Sequence, residues 1–268
     1  GYIGCVYQLD SRPEGNAEQD GLTIASYNVE AFRLDKDGFS ANEVTQLLAK
    51  HNTDIVCFQE FNNFAGGTGI KVVDIYKDQY PYKIEGIGGQ IIMSKYPIKT
   101  GEVIKFEFGG GTNSAQYADI EVSGKFLRVY NVHFLTTRVN SLLSQTKDTE
   151  KGERAKIVIN GWQDQQLYRS SQANELSNYI RMSDYTYPTV LCGDFNETPY
   201  TYTYQSIATL LEDGFKTAGH GFMSTYNGAK GMLRSDYIFH SKDITGLDYY
   251  TVKSDNSDHN PVFFKIKM

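Results

Sequence analysis

Six short segments place polar side chains where an apolar run begins or ends. Gly193-Asp194-Phe195-Asn196 follows the run Thr189–Cys192, and Ser257-Asp258-His259-Asn260-Pro261 precedes Val262–Ile266. Tyr27-Asn28-Val29-Glu30 closes the run that starts at Leu22, Gln59-Glu60 follows Ile55–Phe58, Asn131-Val132-His133 falls late in Phe126–Phe134, and Asp236 opens Tyr237–Phe239. Taken singly, each is compatible with a turn, since Asp, Asn, Gly and Pro are ordinary turn formers. Taken together they gather carboxylates, amides and imidazoles at strand ends, which is the material of a divalent-metal hydrolase. A carboxylate so close behind an apolar run, as at Glu60, is paired, metal-bound or turned to solvent. Mg²⁺ suits such a set, because it takes one or two carboxylates and keeps several waters. Asp194 and Asn196 are two apart and so share a side in extended chain. There the carboxylate can orient or deprotonate an attacking water, and the amide can donate to a phosphoryl oxygen as charge builds on it. His259 titrates near neutrality and can stabilise that charge or move a proton. A lone histidine at a strand end, as at His133, is more often structural, and His51, His220 and His240 stand in no such context.

The elements that must position these residues are mostly strands. Leu22–Val29, Ile55–Phe58, Gln90–Met93, Glu102–Phe108, Tyr117–Val122, Phe126–Phe134, Thr189–Cys192, Tyr237–Phe239, Leu247–Val252 and Val262–Ile266 are short, β-branched or aromatic, and bounded by turn formers. Ser123-Gly124 before Lys125 predicts a hairpin turn. Helices are predicted over Ala41–Lys50, with Ser40 and Glu43 as a capping box, over Asp164–Met182, with Ala173, Leu176, Tyr179 and Ile180 as its apolar face, and around Thr203–Leu211. Many strands and few helices in mixed order imply two packed sheets with helices outside them.

With 268 residues, no internal repeat and no linker, residues 22–268 read as a single catalytic domain. Residues 1–21 read as a tether, such as an exported or membrane-tethered domain would carry. The net charge of −6 argues against a surface made for nucleic acid, although part of the acidity is the proposed site itself. The mixed charges from Arg138 to Arg169 predict a solvated loop. Three cysteines, two inside apolar runs, give neither a disulfide framework nor a zinc pattern.

In order and wording the six segments resemble the endonuclease/exonuclease/phosphatase superfamily, the deoxyribonuclease-I-like metal-dependent phosphoesterases. The resemblance runs from about Leu22 to the C-terminus, and Gly-Asp-Phe-Asn and Ser-Asp-His-x-Pro are its most specific parts. It implies a four-layer α/β sandwich of two packed, mainly antiparallel β-sheets flanked by helices, with the six segments at one end. It implies Glu60 as the principal Mg²⁺ ligand, with Mn²⁺ as a substitute, and Asn28, Glu30 and Asp258 around the metal. Asp194 would activate water, Asn196, His133 and His259 would face the phosphate, and Asp236 would hold the tautomer of His259. The pattern departs from the pancreatic deoxyribonucleases in lacking an acidic residue near Gly88-Gly89-Gln90 to pair with His133. The implied substrate is a phosphodiester or phosphomonoester (nucleic acid, phospholipid or inositol phosphate), attacked in line by water in a monomeric enzyme. The competing reading is a non-catalytic binding or scaffold domain of the same fold, which the filled core positions disfavour.

Overall fold

Fourteen strands, ten of them at or overlapping the predicted runs, form among the residues that the computed structural model describes, namely 3–8, 20–34, 39–64, 71–108, 113–136, 146–147, 150–183, 187–227 and 233–268. They are β1 (Tyr7–Gln8), β2 (Leu22–Asn28), β3 (Ile55–Gln59), β4 (Tyr82–Glu85), β5 (Ile91–Ser94), β6 (Ile98–Lys105) and β7 (Ser114–Val122). The series continues with β8 (Lys125–His133), β9 (Thr189–Asp194), β10 (Glu212–Asp213), β11 (Gly221–Phe222), β12 (Asp236–His240), β13 (Thr245–Thr251) and β14 (Val262–Lys267). One six-stranded sheet has the order β13-β14-β2-β3-β5-β4 and the other β10-β12-β9-β8-β7-β6, while β1 and β11 form a separate ribbon. Within the two large sheets, every pairing is antiparallel except β2 with β3 and β8 with β9.

Alternation along each strand builds the layers. Ile24, Ile55, Cys57 and Ile92 of the first sheet share one buried cluster with Leu127, Val129, Val190 and Ile238 of the second, and this is the apolar filling between sheets. The intervening residues Ala25, Val56 and Phe58 face outward and pack with Ala41, Val44 and Leu48 of the helix Phe39–Lys50. On the far side Tyr130, Leu191 and Phe239 pack with Ala173 and Leu176 of the long helix Lys151–Met182. This is the expected helix–sheet–sheet–helix sandwich, each apolar face covered by a neighbour. Polar ties also cross it: Gln59 Nε2 donates to Asn131 Oδ1 at 2.8 Å, and Asn131 Nδ2 donates to the Phe58 carbonyl at 2.8 Å, joining β3 to β8 in the dry interior.

The two parallel pairs set the site. β2 and β3 end side by side with Asn28 opposite Gln59, and β8 and β9 end with His133 opposite Asp194. Asp236 opens β12 directly opposite Asp194. Gly193 makes the β8–β9 pairing tight, because a Cβ there would stand 2.3 Å from the Val132 carbonyl oxygen. The predicted hairpin is present, with Ser123 (φ 51°) and Gly124 (φ 80°) as its two turn residues.

Several expectations need correction. The long helix starts at Lys151, not Asp164, so Lys151–Arg169 is helix rather than solvated loop; Arg138 lies outside the described residues. Helix Phe39–Lys50 begins before Ser40, which therefore sits inside its first turn instead of capping it. The strand expected over Glu102–Phe108 is Ile98–Lys105, and β4 was not anticipated, its side chains being mostly exposed. The expected tether is partly docked: β1 pairs with β11, Cys5 and Val6 are buried, and the Cys5 carbonyl accepts from Arg234 Nη1 at 3.0 Å. Residues 9–19 of it lie outside the described residues.

Candidate active site

Asn28, at the end of β2, is buried and sits between two carboxylates. Its Nδ2 donates to Glu60 Oε1 at 3.1 Å and to Asp194 Oδ2 at 3.0 Å, while its Oδ1 accepts the Glu30 amide at 3.0 Å. Glu30 in turn accepts the Asp258 amide on Oε2 at 2.9 Å, and Ser257 Oγ donates to the Asn28 carbonyl at 2.7 Å. The C-terminal motif is thus stitched to the end of β2, and Glu30, Glu60 and Asp258 border one pocket of about 600 Å³.

Three of the candidate residues occupy the left-handed backbone region: Glu30 (φ 45°), Glu60 (φ 54°) and Asn196 (φ 52°). That region disfavours side chains such as Glu and persists where surrounding structure enforces it, commonly at functional sites. Here the enforcement is visible. Ala31 donates to the Glu60 carbonyl at 2.9 Å and Phe61 to the Gly89 carbonyl at 2.8 Å. Gly89 itself (φ 78°) has no room for a Cβ, which would meet the Phe61 backbone at 2.8 Å. The Gly-Gly pair that sequence reading examined for an acidic neighbour instead shapes the Glu60 turn.

Asp194 is buried at the end of β9. Its Oδ1 accepts the Asn196 amide at 2.8 Å, and Asn196 Nδ2 donates to the Phe134 carbonyl at 3.1 Å, an Asx turn that aims both side chains at the pocket end. Burial and then the Asp236 carboxylate push the Asp194 carboxyl up from its ordinary value, while His259, His133 and the Asn196 amide pull the other way. His259 Nδ1 lies 2.9 and 3.2 Å from the two oxygens of Asp236, and its Nε2 is 3.7 Å from Asp194 Oδ2. Burial opposes a charge on this imidazole, but Asp236, Asp194 and Asp258 outweigh it and raise its pKa to about 10. Asp236 is fixed in turn by Ser235 Oγ at 2.8 Å and through its own amide by Thr225 Oγ1 at 3.0 Å.

His133 is buried, with Nε2 3.6 Å from Glu60 Oε1 and 3.8 Å from Asp194 Oδ2, both beyond hydrogen-bond reach, and this Nε2 lacks a hydrogen-bond partner. A buried, unpaired ring nitrogen between two carboxylates is costly unless a ligand completes it. Near Gly88-Gly89, Gln90 Nε2 donates to the Ser114 carbonyl at 2.6 Å.

All nine candidates, Asn28, Glu30, Glu60, His133, Asp194, Asn196, Asp236, Asp258 and His259, therefore lie within one connected group. Sequence reading missed Ser257 and Thr225, which act through hydroxyls, and Tyr226, whose ring lies 5.1 Å from that of His259. It also missed Arg169, fully buried on the long helix and bonded to Glu197 and to the Leu135 carbonyl at 2.9 Å.

The donor chemistry fits a hard divalent cation. Glu60 and Asp258 each leave 37% of the side chain exposed beside the pocket, so oxygen ligands and water can share an ion there. Asp194, Asp236 and His259 also bring ligand atoms within 4.8 Å of one another. That second group is self-satisfied, because the His259 Nδ1–H is already held by Asp236, and a nitrogen donor suits Mg²⁺ less well than carboxylates do.

The family model of the endonuclease/exonuclease/phosphatase family matches residues 25–259. The chain belongs to that family. Members of the endonuclease/exonuclease/phosphatase family hydrolyse phosphate esters with a divalent metal, and this chain is a phosphoester hydrolase by that membership. Solved structures share the fold. An endonuclease/exonuclease/phosphatase protein from Bacteroides vulgatus aligns at 17% identity and a TM-score of 0.68, covering 93% of this chain and all of its own. A mannosyl-6-phosphatase from Bacteroides thetaiotaomicron aligns at 17% identity and a TM-score of 0.65, covering 92% of this chain and 100% of its own. A Staphylococcus aureus beta toxin variant with bound magnesium ions aligns at 21% identity and a TM-score of 0.63, covering 91% and 99%. A search of curated proteins found no match. Among the described residues, no helix is long and apolar enough to cross a membrane.

Proposed function

We propose that the protein hydrolyses a phosphate ester with Mg²⁺ held by Glu60, assisted by Asp258 and Glu30, and with Asn28 orienting the Glu60 carboxylate. The observation that carries this reading is the convergence of those three carboxylates and the Asp236–His259 pair on the two sides of Asp194, at the mouth of one pocket. When bound, Mg²⁺ supplies Lewis-acid polarisation of the phosphoryl group. Asp194, held by Asn28 and by the Asn196 amide, orients the attacking water and accepts its proton. Burial beside Asp236 raises the proton affinity of that carboxyl, which suits a base. His259, kept protonated by Asp236, donates from Nε2 to a phosphoryl oxygen as negative charge accumulates. The vacant Nε2 of His133 binds a second oxygen, and Asn196, whose backbone amide and Nδ2 both reach Asp194, holds the base in place. Residues 22–268 act as the catalytic domain and Ile3–Gln8 as a docked extension of it.

The fold neighbours with named activities include a phosphatase and a magnesium-bound toxin, which supports the ester and the metal and leaves monoester against diester to chemistry. Mn²⁺ fits the same oxygen donors. The test is turnover of p-nitrophenyl phosphate and of bis-p-nitrophenyl phosphate by the purified chain with Mg²⁺, with EDTA and with Glu60→Gln as controls. Absence of metal-dependent turnover of either ester overturns the reading.

A further inference from the structure

Opposite the carboxylates, the pocket wall is polar, and its two charged side chains, Glu197 and Arg234, are buried in internal ion pairs. Trp162 and Gln166 stand one turn apart on the long helix and share a face, and Thr136, Thr198 and Thr201 line the pocket with them. Two arginines stand at or near it, Arg234 in its lining and Arg169 on the long helix. Both are buried and paired with a carboxylate, while Arg169 Nη2 and Arg234 Nε keep no hydrogen-bond partner. Arg169 is bonded to Glu197, and Arg234 grips Asp213 through two contacts of 2.7 Å. Among the described residues lining this pocket, His259 is the only other cationic group, and it faces Asp194 and Asp236. A nucleic-acid strand or a polyphosphorylated ring brings further anions, and such ligands are met by lysines and arginines. Among its described residues, this wall offers them no lysine, and its one arginine, Arg234, is already held by Asp213. It offers hydroxyls, one amide and one flat aromatic face.

Trp162 is the single tryptophan of the chain and is 46% exposed. An indole left half in water at a pocket rim is a large hydrophobic surface awaiting a partner. A sugar ring matches it: one face of C–H groups for the indole, and hydroxyls at the edge for Gln166 and the threonines. A quaternary ammonium would want several rings around it, but among the described residues the other aromatic ring lining the pocket, Tyr226, packs against His259.

We propose that the substrate is a monophosphate ester of a neutral polyhydroxylated alcohol, in particular a sugar phosphate, with Trp162 as the specificity-determining platform for the ring. The inference rests on the phosphoesterase reading above. The reaction consumes one water: its oxygen bonds to phosphorus, the bond from phosphorus to the sugar oxygen breaks, and the alcohol leaves with a proton while inorganic phosphate forms.

The lone indole supplies its own readout. In the full-length Asp194→Asn variant with Mg²⁺, titration with glucose 6-phosphate shifts tryptophan emission to the blue and saturates, whereas inorganic phosphate or choline phosphate at equal concentration does not. In the otherwise wild-type enzyme, Trp162→Leu raises KM for glucose 6-phosphate about tenfold or more and changes kcat by no more than about twofold. Glycerol 3-phosphate, which has no ring to stack, responds far less. Preference by kcat/KM for a dinucleotide or a choline phosphoester over sugar phosphates, or an unchanged KM in Trp162→Leu, overturns the proposal while leaving the phosphoesterase reading intact. Failure to turn over any ester sinks that reading instead, and the indole titration then still decides whether the pocket takes a sugar phosphate.

Discussion

Asp236→Asn removes a charge and almost no volume, so it isolates what that charge does for His259. The imidazole is nearly shut off from solvent, and two oxygens of Asp236 lie 2.9 and 3.2 Å from its Nδ1. Burial alone would depress its pKa, and Asp236 leads the interactions that raise it to about 10. Without that carboxylate, burial is opposed only by Asp194 and Asp258, and the pKa falls. A fall of about two pH units corresponds to about 3 kcal/mol at 1.36 kcal/mol per unit. If His259 acts as a cation in the transition state, the alkaline limb of kcat moves down by about two pH units, so that kcat near pH 10 falls by up to about 10² with little change in KM. Imidazole NMR titration and a pH–rate profile read the two halves of this expectation. Adding His259→Ala to Asp236→Asn then costs almost nothing more, because the pair acts as a unit. Stability follows the same logic. A histidine whose folded pKa lies above its ordinary 6.5 stabilises the fold fully below that pH, and the contribution is lost as pH rises toward about 10. In EDTA the wild type therefore loses urea resistance across that window, and Asp236→Asn loses less of it. An unshifted His259 titration with additive losses of rate would refute the pairing.

Glu60→Gln weakens Mg²⁺ binding sharply in calorimetry without lowering the melting temperature, since the Glu60 carboxylate contributes little buried packing. The wild-type chain in EDTA stays folded by circular dichroism, because the two sheets are closed by apolar contacts independent of any ion. Gly193→Ala forces a methyl against the Val132 carbonyl, separating β8 from β9. It costs about 2–3 kcal/mol in chemical denaturation and misplaces Asp194, so kcat falls as well. Arg169→Met strands the Glu197 carboxylate in a dry environment at about 3–5 kcal/mol, and Arg169→Met with Glu197→Gln recovers most of that loss in the same assay.

Much of this site was legible because its residues sit at strand ends, where a polar letter interrupts an apolar run. Asn28, Glu60, Asp194 and Asp236 are of this kind, and the register of the parallel pairs turns nearness in pattern into nearness in space. The first half of the long helix was illegible for the opposite reason. From Gly152 to Tyr168 its residues are mostly exposed, so no apolar stripe marks it, and mixed charges look alike on a helix and in a loop. The long-range pairs were equally hidden. Arg234 meets Asp213, and Arg169 meets Glu197, across spacings that no local periodicity encodes. Gly89 could be recognised as a glycine but not as the spacer beneath Glu60, since that requires knowing which backbone passes it.

The position of β14 has a consequence for how the chain is made. It pairs with β2 and separates it from β13, so the first large sheet is built from the earliest of its strands and the last two. While a ribosome is still synthesising residues before Val262, β2 presents an open edge with no neighbour on that side. Contacts this distant in sequence are slow to close and leave hydrophobic edges exposed meanwhile. Asp258 and His259, immediately ahead of β14, arrive with the strand that closes the sheet. A nascent chain therefore gains its full set of site residues only when its first sheet gains its missing member, and onset of hydrolysis in a cell-free translation reaction should mark completion of the fold.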